Sequence, residues 1–317
     1  GATTGISTTN SAISLTETTG NITVSQAIDS GSAQTTVTST LGSISGAGTI
    51  GSATAGNSVE LVAGTTINVT TGADSLAAFA PGTITISNTA PGGTLDVTTV
   101  GATTGISTTN SAISLTETLG NITISESVSA GAANLTLNAA AGTTTQASGK
   151  TITAAGLELQ GAGNYTLTDT GNNVAKIAGS TSGTVKYVDA DALAVDTVTT
   201  AGFTGVGNIT LNTQSSNLTL NQAINAGANT VRLQANAGNV TQAAAGVITA
   251  GTLGVNALGG TGTIDLSAAN NAVATGGSAA MKAGGGNLQF KNTLGYKVDT
   301  VAADGTLFTV ADGLDAT

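Results

Sequence analysis

The acids best placed to do chemistry lie in one stretch, Asp189-Ala190-Asp191, with Asp196 just beyond and Lys186 just before. Side chains at i and i+2 of a strand share a face, so Asp189 and Asp191 converge if the segment is extended. Paired carboxylates with a nearby base suit cleavage of a glycosidic bond. Hard carboxylate oxygens suit Ca²⁺. The sequence thus allows a calcium site at Asp189, Asp191 and Asp196, while a solvated loop between repeats is the favoured reading. No catalytic residue is assigned, and no cofactor other than that calcium.

A second set of acids recurs at the period of the chain. Asp96, Asp196 and Asp299 stand in LDVTTV, VDTV and VDTV motifs, 100 and 103 residues apart. A cation at each junction is one reading; an Asp capping a turn through its own backbone is the favoured one. Ala-Asp-Gly at 303–305 and again at 311–313 is a weak Ca²⁺-loop signal, because the GGxGxD nonapeptide is absent. The rest of the composition removes chemistry. With no Cys and no His there is no disulfide, no thiolate site and no usual base at neutral pH. Net charge is −10 and Arg232 is the only arginine, which excludes nucleic acid as a partner. Arg232 faces outward by alternation from Val231 and Leu233 and reads as a solvated surface residue. No apolar run reaches the ~20 residues of a membrane span, so no membrane insertion is expected. Asn-x-Thr triplets, as at Asn21, Asn121, Asn134, Asn208 and Asn239, read as a turn Asn before an alternating strand rather than as glycan sites.

What positions these residues is a repeat. Gly101–Val128, GATTGISTTNSAISLTETLGNITISESV, is nearly the same as Gly1–Ile28, GATTGISTTNSAISLTETTGNITVSQAI. The first eighteen positions are identical, and five of the rest differ. A chain that copies itself at a fixed offset is an array. The expected organisation is one continuous solenoid over 1–317, made of three copies at 1–100, 101–200 and 201–300, with 301–317 opening a further unit. Gly1 falls inside the repeat, so the chain reads as a segment of a longer protein.

Within each copy, short alternating runs follow one another. Ile122, Ile124, Leu135, Leu137, Tyr165 and Leu167 fall on one side, and Thr123, Thr136 and Thr166 on the other. Gly-Asn precedes many runs, placing Asn21, Asn121, Asn164, Asn208, Asn239 and Asn287 at corners. Both residues accept φ > 0, and the Asn side chains are expected to stack and bond to each other from coil to coil. Aromatics are 2% and charged residues 8%, against about 25% charged in ordinary domains. A narrow interior of Ile, Val, Leu and Ala fits that bias. The fold class is therefore all-β, a parallel β-helix. At roughly 20 residues per coil it would have about fifteen coils, stacked over some 70–75 Å.

The GNITL- and GNVTQ-type rungs, the AAGxITAGTL-like segments and the NNVA rungs resemble the repeats of filamentous haemagglutinin-type surface proteins, exported by two-partner secretion. The resemblance covers essentially the whole chain. It implies a right-handed helix, export from a Gram-negative cell, and a place on the cell surface as an adhesin or filament. No RGD tripeptide and no basic heparin-like patch is present.

The expected function is an extracellular structural or adhesive segment of a bacterial surface fibre, not an enzyme. Its partners are neighbouring repeats, with end-to-end or lateral self-association at unpaired strand edges. A carbohydrate-binding or carbohydrate-active β-helix and a self-assembling matrix filament are the alternatives.

Overall fold

The computed structural model describes residues 5–316. Among them there is no helix; every regular element is a strand. The chain forms two compact units, Gly1–Ala155 and Gly156–Thr317. In each, strands pair in parallel with strands one coil away, which makes each a β-solenoid.

The first unit is seen most simply along one column of partners: Ile13, Thr35, Val59, Leu76, Val97, Ile124 and Gln146. A second column stacks Ile44, Ile67, Ile84, Ile113 and Leu135. All five are at most 1% exposed. Like lies on like because the register repeats, and each such side chain contributes about 1.5–3 kcal/mol on burial. The predicted alternation holds: Ile122, Ile124, Leu135 and Leu137 are buried, while Thr123 and Thr136 are only half-buried.

The second unit repeats the plan with Tyr165, Val185, Ile209, Val231, Leu253 and Ala279 in one column. Leu167, Tyr187, Leu211, Leu233, Val255 and Met281 form the next. All twelve side chains are 0% exposed. This interior is wider than an aliphatic-only filling requires, since Tyr165, Tyr187 and Phe203 are all fully buried in it.

Seven rungs in one column and six in the other give about thirteen turns, close to the expected fifteen. Most steps exceed the expected 20 residues; Val231 to Leu253 is 22 and Leu253 to Ala279 is 26. Outward excursions lengthen some of them. Thr99–Val100 pairs antiparallel with Thr103–Thr104, Thr197 bridges Ala201, and Thr300–Val301 pairs antiparallel with Ala311–Asp312. Each excursion follows one of the three recurring Asp motifs, so that signature marks where the chain leaves the coil.

The corners are not built as expected. None of the six Gly-Asn pairs named above has a positive φ, whereas Gly56 of the further pair Gly56-Asn57 does, at 89°; among the described residues the non-glycine positions that do are Asn10 and Asn110, at 59° and 58°. In several pairs, Gly120, Gly238 and Gly286 among them, the glycine serves close approach instead. A Cβ on Gly120 would stand 2.5 Å from the carbonyl oxygen of Gly93.

Candidate functional site

Alternation along Val185–Asp189 decides the fate of the first acid. Lys186 faces out, and Tyr187 and Asp189 face the interior, where both are 0% exposed. The Asp189 carboxylate accepts the Tyr187 hydroxyl at 2.7 Å and the N–H groups of Val174 and Asp191 at 3.0 and 3.1 Å. Burial pushes this carboxyl up to about 6, against the pull of those three donors. Burial, with Asp189 beside it, pushes the Tyr187 hydroxyl well above its usual range.

Asp191 lies past the end of the strand, exposed, with Asn173 Nδ2 at 3.4 Å from Oδ2. The shared face expected from i, i+2 spacing does not form, because the strand stops at Asp189. Asp196 accepts the N–H of Thr197 at 2.7 Å and Asn221 Nδ2 at 3.1 Å, with Lys176 Nζ at 3.5 Å. The Thr197 N–H is the largest influence holding its carboxyl below the ordinary value. The oxygens of Asp189 and Asp196 thus face protein donors, and Asp196 faces an ammonium as well. Among the described residues no three His, Cys, Asp or Glu side chains gather as a metal site.

The other junction acids divide. Asp299 accepts the N–H of Thr300 at 2.8 Å, as Asp196 does with Thr197. Asp96 does not cap in this way: its Oδ1 is buried without a hydrogen-bond partner. Lys186 reaches away from Asp189 to Asp304 at 2.5 Å, and Arg232 is not free in solvent but donates from Nε to the carbonyl of Ala302 at 3.0 Å.

The corner Asn residues join coils, but not side chain to side chain as expected; that bond forms elsewhere, from Asn236 Nδ2 to Asn212 Oδ1 at 3.2 Å. Asn21, Asn121 and Asn208 each accept, on Oδ1, the N–H of the residue 22 positions on: Ser43 at 2.8, Thr143 at 2.8 and Thr230 at 2.9 Å. Asn164 takes Thr184 and Asn239 takes Thr263, both at 2.8 Å. Asn287 is exposed and makes no such bond. Asn10, Asn110 and Asn217, which carry no Gly before them, do the same for Ser32, Ala132 and Asn239. The signal that finds them is the 22-residue spacing, not the Gly-Asn pair.

Two further acids escape sequence reading. Glu60 Oε1 accepts the N–H groups of Ala102 and Thr103 at 2.9 and 3.0 Å, which pins the first hairpin. Glu158 Oε2 accepts those of Thr199 and Thr200 at 3.0 and 3.1 Å, which pins the second. Both stand at the outward centre of matching tripeptides, Val59-Glu60-Leu61 and Leu157-Glu158-Leu159.

One concavity in the first unit is a groove of about 440 Å³, with Asp29, Thr49, Gly51, Ser52, Thr71 and Pro91 among its lining residues. Its floor is low where Gly51 lies over Gly72. Compared with protein-family models, with curated proteins and with solved structures, the chain matches none.

Proposed function

We propose that this chain is a structural segment of a bacterial surface fibre, a spacer whose work is done by repetition rather than by a catalytic site. The observation that carries the reading is where its polar groups are spent. Asn21, Asn121, Asn208 and Asn217 each reach one coil on, at the same 22-residue interval, to hold a backbone N–H. Glu60, Glu117 and Glu158 likewise receive backbone N–H groups of their own unit. Carboxylates used in this way stabilise stacking, and each added coil brings its own stabilisation. The resemblance to filamentous haemagglutinin-type repeats supports the surface location.

A carbohydrate-binding role is the second reading, favoured by the groove with Asp29, Thr49 and Thr89 on its walls. Immobilised chain tested against a panel of bacterial and host polysaccharides separates the two. The spacer reading expects no saturable binding. Saturable binding abolished by Ala53→Trp, which places a ring at an exposed position of the groove wall, would overturn it in favour of the second.

A further inference from the structure

Coils in a solenoid touch only their neighbours, so stability ordinarily passes from one coil to the next. Residues 299–313 of the second unit break that order. The chain leaves the coil after Lys297–Val298, which pairs with Ser278–Ala279, and returns at Leu314–Asp315, which pairs with Met281–Lys282. Between these points it lies along the outer face of earlier coils as a strap.

Its contacts step from coil to coil. The Asp304 carboxylate receives Lys186 Nζ at 2.5 Å and the Thr210 hydroxyl at 2.7 Å, so one side chain joins two coils. Asn212 Nδ2 donates to the carbonyl of Leu307 at 2.7 Å, and Arg232 Nε to that of Ala302 at 3.0 Å. Gln234 Oε1 accepts the N–H of Thr309 at 2.9 Å, and Asn256 Nδ2 donates to its carbonyl at 2.9 Å. Phe308 is 0% exposed and forms a small core outside the solenoid with Val301, Ala311 and Ala280.

The seat is shaped for that ring. Leu253-Gly254-Val255 matches Leu157-Glu158-Leu159 in sequence and phase, but the outward residue is Gly where the matching position carries Glu. The matching Glu holds a short turn by hydrogen bonds; here a bare backbone receives an aromatic.

We propose that the strap is a brace: it ties the coils carrying Lys186, Thr210, Arg232 and Gly254 to the coil that follows them, so that they open together instead of one at a time. Asp304 and Lys186 are 118 residues apart, far beyond the reach of coil-to-coil coupling.

Native-state hydrogen exchange of the full chain, followed by mass spectrometry at rising urea, tests this. In the parent chain, strands Val185–Asp189, Ile209–Thr213 and Thr230–Ala235 should exchange with one common opening and one urea dependence. In Phe308→Ser and, more mildly, in Asp304→Asn, these strands should exchange at least ten-fold faster. Their openings should separate in order along the stack, while Ile67–Gly72 of the first unit keeps its parent rate. If either variant frees only residues 299–313 and leaves the three strands at parent rates, the strap is a passive cover and the brace is refuted.

Discussion

The ring of Phe308 occupies the space that a side chain on residue 254 would need. A Cβ on Gly254 would stand 2.6 Å from Phe308 Cζ and 2.8 Å from Val301 Cγ1. A ring and a branched methyl held in a packed cluster cannot swing clear as the tip of a lysine can, so Gly254→Ala must expel the ring. Loss of a buried Phe contact costs about 3–5 kcal/mol in a core, and this satellite cluster should lose a large part of that. The expected result is a lower thermal midpoint for the second unit and trypsin cleavage after Lys297. An unchanged midpoint and digestion pattern would mean that the ring is not seated as described.

Ile122 and Thr123 test strand phase in the first unit. Ile122 is 0% exposed and lies between Leu95 and Thr144 of adjacent coils. Ile122→Asp buries an unpaired charge and should abolish folding of the unit. Thr123 faces outward, but its partner in the neighbouring coil is Asp96. Thr123→Asp therefore stacks acid on acid and should cost up to about 1 kcal/mol. Asp96→Asn in the same chain should recover that loss, measured by urea melts of all four chains of the cycle.

Much of this architecture is legible in the sequence because it rests on local rules. Period-two alternation puts Ile122, Leu135 and Leu167 inside, and the register then stacks them without further instruction. What is not legible depends on the third dimension. Nothing local tells that Glu60 meets Thr103, 43 residues on, or that Arg232 lies under Ala302. Asp189 and Asp191 share a face only if the strand continues, and it ends between them. The Asn corners fall between these cases: the residue type is visible, and the acceptor role becomes visible once the 22-residue interval is known.

Glu60 and Glu158 predict paired outcomes. Each carboxylate holds two backbone N–H groups and a Thr hydroxyl of a downstream turn. Glu60→Ala should cost about 1–3 kcal/mol and raise exchange at Ala102 and Thr103, and Glu158→Ala should do the same at Thr199 and Thr200. Glu126→Ala removes only the half-exposed ion pair with Lys150 at 2.8 Å and should cost under about 1 kcal/mol. Equal effects at all three sites would show that the two buried acids do not organise their turns.

Asp189 gives the second unit a pH dependence of unusual sign. Its carboxyl titrates near 6 in the folded chain, against 3.8 ordinarily, because burial outweighs its three donors. Between those values the folded state holds a proton that the unfolded state has released. Stability must therefore fall as pH rises from about 4 to 6, by about 3 kcal/mol, and this contribution then stays constant to neutrality. Asp304 works in the opposite sense at lower pH. Burial raises its carboxyl, but Lys186 and Thr210 outweigh this and leave it below the ordinary value, so its contribution is lost only under stronger acid. Urea melts of the second unit should thus pass through maximum stability near pH 4. Asp189→Asn should flatten the limb between 4 and 6. The slope is the quantity to read, not the absolute stability, because Val174 and Asp191 donate to different oxygens of Asp189 and an amide, with one oxygen, leaves one of those N–H groups facing a nitrogen that cannot accept. A limb of unchanged slope in Asp189→Asn would assign the dependence to another group.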